Sequence, residues 1–395
     1  RARGASRIAE VAPPWTALLD GARLGPQRGP RGAGPLLQGG VGFASEPATA
    51  PEWHGFEAAS LVCPTLLLTS TGERTWLTVS ILATPNVPAD ESLSGVIERW
   101  ERLADRVEDR AIDGRSATTL RVRRNRPEAP EWRDSVARLA GAVGRGRVDK
   151  VVLSRQVGLA AATPIDVAGL LRRLSRTAPE STLFAVTRAS RTFLGATPER
   201  LVNVEAREFS TMAMAGSTRR AGDIETDAAL GAELLQSDKV REELAGVVAM
   251  LRDALGPLAE PLHVAPRPHV VQLRHVQHLV TSISGRLRED AGVLALVARL
   301  HPTPAVGGAP LELALELIAD EERHQRGWYA GPLGWVDADG DGEFVVALRS
   351  GVIDGDEATL FAGCGIMADS DPEREWEESS AKLLLLASEL GRLGP

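Results

Sequence analysis

Residues 328–368, WYAGPLGWVDADGDGEFVVALRSGVIDGDEATLFAGCGIMA, constrain the fold more than any other stretch of this chain. Short apolar runs alternate there with Gly/Asp turns, the chemistry that joins antiparallel neighbours. Three or four strands follow one another with no helix between them. Elsewhere, too, strands outnumber crossover units. The expectation is an α+β fold with large antiparallel β-sheets flanked by helices, and not a doubly wound parallel sheet.

The rest of the chain alternates in period. SLVCPTLLLTS and RTWLTVSILAT read as a pair of strands, and STLFAVTRASRTFLGAT as a hairpin. SLSGVIERWERLADRVED has helical spacing, with Ser92 or Ser94 as its cap. PEWRDSVARLAGAVGRGRVD is a helix ended by its glycines, and IDVAGLLRRLSRT is another. DAALGAELLQSDKVREELAGVVAMLRDAL predicts a long helix broken once. GVLALVARLHPTP predicts a helix stopped by prolines, and APLELALELIADEE a further one. DPEREWEESSAKLLLLASEL closes the chain as a helix with Asp371 and Pro372 at its start. Residues 1–50, rich in Gly, Pro, Ala and Arg, read as connecting chain with short strands.

Composition excludes several classes. With 395 residues, 43% of them hydrophobic, a large core is available. A net charge of −8 gives no electrostatic footprint for nucleic acid, although local charge still decides whether an anionic substrate binds. No apolar run approaches the roughly 20 residues of a membrane helix. The opening RARGASRIAE is basic without an apolar core behind it, so no secretory signal is expected. It lacks a starting Met, as a trimmed chain or part of a longer reading frame would. Cys63 and Cys364 form no metal, redox or disulfide motif, which fits a reducing cytoplasm. Neither GK[ST] nor GxGxxG occurs.

Several groups of residues could carry chemistry. Asp337, Asp339, Asp341 and Gly342 imitate a calcium loop, but Leu348 stands where its bidentate Glu belongs, so a hairpin turn is expected. His275 and His278 lack a third ligand and read as structural, or as pocket wall. Glu375, Glu378 and Lys382 share one helix face, and Lys239 and Glu243 share another. Each set alone reads as a solvated ion pair. Together, carboxylates from two helices could hold a hard divalent ion such as Mg²⁺. The loop LHPTPAVGGAP carries His301 on a restrained backbone that lets a ligand approach. Gly363 and Gly365 in LFAGCGI could offer bare N–H groups to a carboxylate, and Arg349 could fork onto a second one. Lys150, at the edge of the strand in RVDKVVLSRQ, is either a solvated strand-end charge or a base at a pocket wall.

These pieces occur in one order. DKVVLSR, GATPERLV, AGSTRR, SDKVREE, VQHLVTSISGRL, LHPTPAVGG, GWYAGPLGWVDADGDGEFVVALRSG, LFAGCGI and DPEREWEESSAK together resemble the chorismate-utilising enzymes, from about residue 130 to 390. That family includes isochorismate synthase, salicylate synthase and the first components of anthranilate and aminodeoxychorismate synthase. The resemblance implies the anthranilate synthase component I-like fold, with the active site in a cleft between sheet and helices. It implies a variable part at 1–125 and a catalytic region at 126–395. Water-adding members carry a lysine where Lys150 stands. The aminodeoxychorismate branch carries one where this chain has Ala215. The expected activity is therefore that of an isochorismate synthase, with salicylate synthase as the alternative and an amidotransferase-partnered aminase subunit behind both.

By the same resemblance, Lys150 activates water and Glu199 protonates the departing hydroxyl. Mg²⁺ would sit on Glu243, Glu375 and Glu378, the last directly or through water. Register alone leaves Glu242 open as the ligand, and Leu244 replaces a histidine common at the next position. Arg349, Tyr329, Gly363 and Gly365 would bind the enolpyruvyl carboxylate, with Lys382 near the ligand carboxylates. Ala215, Gly216, His301, Thr303 and Ala305 would line the substrate pocket. No obligatory protein partner is implied, and a monomer is expected. The chemistry asks for a lysine detuned by burial or a neighbouring cation and a glutamate whose pKa is raised.

Overall fold

The computed structural model describes residues 4, 6–25, 29–83, 89–108, 118–272, 276–289 and 291–393. Two large sheets dominate them. The first runs in the order Ala259–Val264, Val276–Leu287, Glu208–Arg219, Arg200–Glu205, Gly342–Val346, Pro332–Asp337, Leu36–Val41 and Ala59–Val62, with His269–Gln272 added to its second strand. The second runs Gly391–Leu393, Thr118–Arg126, Lys150–Ala161, Glu357–Ile366, Ser350–Asp354, Arg191–Thr197 and Thr182–Arg188, with Gly308–Ala309 paired to Lys150–Ala161. The fold is α+β, and its sheets are antiparallel apart from the pairing of Gly391–Leu393 with Thr118–Arg126.

The three or four strands expected over 328–368 are four, and they do not stay in one sheet. Pro332–Asp337 and Gly342–Val346 belong to the first sheet, Ser350–Asp354 and Glu357–Ile366 to the second. The chain crosses between them at 347–349. A second direct strand-to-strand crossing lies at 198–199, between Arg191–Thr197 and Arg200–Glu205. The two crossings are bonded together. Val346 N–H donates to Glu199 O (3.0 Å) and Ala196 N–H to Arg349 O (3.2 Å). Alternating apolar residues cannot report a change of sheet, because both sheets bury the same period.

An aromatic cluster packs where the sheets meet. Phe193, wholly buried, has Trp53, Phe56, Phe184 and Trp328 around it at centroid distances of 5.2–6.4 Å. Edge-on and tilted contacts of this kind suit the ring quadrupoles. Helices cover the outside. The predicted long helix breaks at Ser237 into Ile224–Gln236 and Asp238–Leu255, and the Ser237 hydroxyl caps the second piece. Pro372–Leu390 starts as expected: the Asp371 side chain accepts from the N–H groups of Glu373 and Arg374, with Pro372 in the first turn.

Three local expectations need correction. Residues 12–20 form a helix, Ala12–Asp20, in the segment read as connecting chain. Its prolines occupy the first turn, where no N–H is needed, and Trp15 docks it through a bond to Asp337 O (3.0 Å). Ser92 and Ser94 lie inside Ala89–Glu108 and not at its cap. SLVCPTLLLTS is split, since Ala59–Val62 joins the first sheet while Leu66–Ser70 pairs with Thr75–Val79. His275 lies outside the described residues. Among the described residues, no helix is long and apolar enough to cross a membrane.

Truncating Phe193 to alanine removes the ring that the other four pack against. The expected loss is about 3–5 kcal/mol of unfolding free energy, read by urea denaturation.

Candidate active site

Lys150 begins the strand Lys150–Ala161, which pairs with Glu357–Ile366 from Val151↔Ile366 to Ala160↔Glu357. Lys150 and Gly365 share a face, and the lysine stem lies across the glycine. A Cβ on Gly365 would stand 2.6 Å from Lys150 Cε. The partners of the neighbouring amides settle where the glycine N–H groups point. Val152 N–H donates to Gly307 O, and Ser154 N–H to Glu322 Oε1. Val152↔Gly365 and Ser154↔Gly363 are therefore non-hydrogen-bonded pairs. Gly363 and Gly365 turn their own N–H groups to the other side. There the next strand, Ser350–Asp354, has already ended, its last pair on this side being Gly351↔Leu360. Two amides are left facing a gap, as an anion site requires.

The two sheet crossings border that gap. Glu199 sits on one, its N–H donating to Thr197 Oγ1 (3.2 Å). Desolvation pushes its carboxyl up to about 7, although Arg349, Lys150 and Lys382 all pull the other way. Arg349 sits on the other crossing with φ of 50°, a strained conformation for a side chain of its size. Among the described residues, no hydrogen bond or ion pair engages its guanidinium. Burial draws it below its usual range, while Tyr329 and Glu199 act against that. Tyr329 is buried, stacks on Phe361 (5.3 Å between centroids) and brings its hydroxyl 3.3 Å from where a Gly363 Cβ would be.

The two carboxylate-bearing helices close the cleft. Of the register alternatives, Glu243 points inward and Glu242 outward. Glu243 Oε1 lies 2.8 Å from Lys150 Nζ. The lysine is 23% exposed and paired with a carboxylate, where burial or a neighbouring cation was expected. Lys239 does not pair with Glu243 but with Asp369, on the surface (2.6 Å). Glu375, Glu378 and Cys364 bring donor atoms within 4.8 Å of one another. Glu375 Oε1 accepts from Ser370, while its Oε2 is buried without a partner. Burial raises the Glu375 carboxyl above its usual range. Lys382 reaches Glu378 at 2.6 Å and the carbonyl of Gly363 at 2.8 Å. Hard oxygens, one of them orphaned, suit a small divalent cation.

The predicted pocket wall divides in two. Thr303 and Ala305 line a small cavity beside Glu199, together with Met214 and Val247. Thr303 Oγ1 is buried and unpartnered there. His301 turns away from it into a separate cavity of about 580 Å³, with Arg7, Phe43, Glu322, His324 and Arg326. Its ring meets Phe43 edge-on, and burial draws its pKa down to about 3. His301 therefore stands apart from the cleft of Lys150 and Glu199. The restrained loop carries alternate residues to opposite sides, which spacing alone does not reveal. Ala215 is buried. Gly216, at φ 64°, bulges the strand and accepts from His278 Nδ1 (3.1 Å).

The model of the family described as chorismate binding enzyme matches residues 1–391. The chain belongs to the chorismate-binding enzyme family. Isochorismate synthase MenF of Bacillus subtilis is 36% identical over 365 residues, covering 91% of this chain and 75% of the relative. The structure of MenF, the menaquinone-specific isochorismate synthase of Escherichia coli, superposes with a TM-score of 0.78 at 29% identity, covering 91% of this chain and 80% of that one. Anthranilate synthase component I of Streptococcus pneumoniae shares the fold, with a TM-score of 0.76 at 21% identity over 94% and 85% of the two chains.

One group of this chorismate-binding enzyme escaped the sequence reading. Glu322 and Arg326, 3–5% exposed, form a buried pair at 2.5 Å. Glu322 also accepts from Ser154, while Arg326 donates to Val152 O and Val306 O (both 2.7 Å). The pair thereby ties the Lys150 strand to the loop at 301–308. EERHQR does show Glu and Arg at i, i+4, but that spacing is common on exposed helices.

Adding a methyl at Gly365 would displace the Lys150 side chain without touching the core. Gly365→Ala is expected to lower kcat on the order of 10²-fold, with the melting temperature nearly unchanged.

Proposed function

We propose that this chain is an isochorismate synthase, interconverting chorismate and isochorismate with Mg²⁺. The observation that carries the reading is the pairing of a raised acid, Glu199, with Lys150 in the field of the same cleft. Chorismate is a cyclohexadiene with a ring carboxylate, an enolpyruvyl carboxylate and a C4 hydroxyl. Water must arrive at C2 while the C4 oxygen leaves. Lys150 takes the proton from the attacking water, and Glu199 gives its proton to the departing oxygen, so one water enters and one departs. A carboxyl near 7 holds that proton at neutral pH, where an ordinary glutamate would not.

Arg349, Tyr329 and the N–H groups of Gly363 and Gly365 receive the enolpyruvyl carboxylate. Arg349 has no competing partner among the described residues. Lys382 stands beside the ligand carboxylates. Glu375 and Glu378 would hold Mg²⁺, and Glu243 is the third carboxylate of the cleft. Bound there, Mg²⁺ would balance the acidic cluster and draw electron density from the ring carboxylate. Glu243, the third proposed ligand, has one oxygen on Lys150 and keeps lone pairs for the ion, and Lys150 must leave that contact before its lone pair meets water.

We assign residues 1–125 to the variable part and the chemistry to 126–395. We further propose a cytoplasmic enzyme acting as a monomer; the free cysteines fit the first, and the lysine at position 150 speaks against an amidotransferase-partnered aminase.

Incubation of the purified chain with chorismate and Mg²⁺ is expected to give isochorismate without pyruvate. Salicylate and pyruvate would establish the salicylate synthase reading instead. Lys150→Ala and Glu199→Gln are each expected to lose about 10²–10⁴-fold in kcat while still binding Mg²⁺. Robust isomerisation by Lys150→Ala would remove the lysine from its role.

The acid also links to stability. Its folded pKa lies above the unfolded one, so its stabilising contribution is complete below about pH 4.5 and is lost as pH rises through about 7. Glu199→Gln should then gain roughly 1–3 kcal/mol over the parent at about pH 8 and nothing at about pH 4. Equal stabilities at both pH values would contradict the raised acid.

A further inference from the structure

The strand that carries Lys150 has a second face, and Arg155 is the charged residue on it. Arg155 is 2% exposed, and among the described residues no carboxylate pairs with it. Burial pulls its pKa down to about 10. A guanidinium left without a counter-ion in a core is costly, so its contacts need a reason. All but one of those named here are to a single helix. Nε donates to Ser379 Oγ and Nη2 to Ser380 Oγ, both at 2.7 Å. The guanidinium lies 3.8 Å from the centroid of the Trp376 ring, which it faces. Nη1 reaches Asn125 Oδ1 at 3.4 Å. The two serine hydroxyls pass their own protons to Trp376 O, at 2.9 and 2.7 Å. Each hydroxyl therefore offers only lone pairs to Arg155. A planar fork of donors satisfies both and stacks on the indole at once, which a lysine ammonium cannot do.

This helix, Pro372–Leu390, also presents Glu375, Glu378 and Lys382 to the cleft, on the neighbouring face. One strand thus fixes Lys150 at its end and grips, five residues on, the helix of the carboxylate cluster.

We propose that Arg155 is a positioning residue, whose fork on Ser379 and Ser380 and stack on Trp376 set the metal-binding carboxylates Glu375 and Glu378 in register with Lys150. The proposal rests on the reading of the cleft as a chorismate site with a divalent ion. It separates from a merely structural role because it acts on metal binding. An Arg155 that only fills the core would alter the melting temperature and the folded fraction. It would leave the metal affinity of the folded protein as it was.

The test uses Arg155→Lys, Arg155→Met and Ser380→Ala in the full chain. Mn²⁺ binding is read by electron paramagnetic resonance, and the Mg²⁺ concentration for half-maximal turnover by kinetics. Both Arg155 variants are expected to weaken metal binding by about 10–100-fold, the lysine giving no rescue, with kcat at saturating metal changed far less. Ser380→Ala removes one acceptor and leaves the arginine in place, so it carries the test should the Arg155 variants not fold. It is expected to weaken metal binding by about threefold or more. Unchanged metal affinity in folded Arg155→Lys, or in Ser380→Ala where the Arg155 variants do not fold, overturns the proposal. A parent chain that binds no Mn²⁺ and leaves chorismate intact would instead overturn the reading of the cleft.

Discussion

The ladder between Lys150–Ala161 and Glu357–Ile366 is the constraint on which the site depends. Ten consecutive residue pairs, Val151↔Ile366 to Ala160↔Glu357, hold the two strands in one register. That register lays Lys150 across Gly365 and leaves the amides of Gly363 and Gly365 facing the gap. On the reverse face it buries Arg155 against the closing helix and Cys364 beside Glu375. A slip by one residue would exchange the two faces and take the lysine out of the cleft. The buried Glu322–Arg326 pair resists such a slip, since it is bonded to Val152 and Ser154 on the strand and to Val306 on the loop.

Charge is arranged in opposed sets around that ladder. Glu243, Glu375 and Glu378 come from two helices. Lys150, Lys382 and Arg349 come from a strand end, a helix and a sheet crossing. In the structure Lys150 answers Glu243 and Lys382 answers Glu378, while Arg349 is left for a ligand. At Glu199 desolvation outweighs the three cations near it, and burial raises Glu375 as well. An acid held protonated beside unengaged positive charge suits a dianionic substrate that must lose a hydroxyl. The sheet crossings explain how this is possible. A residue on a crossing is free of the alternation that would send its side chain to one face or the other, and Glu199 and Arg349 both stand on crossings.

Much of this was legible in the residues. The period of two, the Gly/Asp turns and the capping Asp371 gave the strands and the closing helix their places. The ordered motifs gave the family. Other features were not legible. A change of sheet leaves no mark in alternation, so the split of the four-strand run stayed hidden. The direction of a side chain on a restrained loop is set by tertiary contacts, so His301 was grouped with Thr303 and Ala305 although its ring turns to Phe43. The pairing of Lys150 with Glu243 joins residues 93 apart in sequence, and helix spacing speaks only of neighbours on the same helix. Arg155 was hidden for another reason. An arginine inside a strand reads as an exposed residue unless its buried partners are known.

The central claim is that solvent water, activated at Lys150, enters at C2 while Glu199 releases the C4 oxygen. The direct measurement is turnover of chorismate in ¹⁸O-labelled water, with mass analysis of the product after a single conversion. Isochorismate carrying one heavy oxygen, at C2, is the predicted result. Unlabelled isochorismate formed at the full rate would mean that the original hydroxyl migrates across the ring, and the roles given to Lys150 and Glu199 would be wrong.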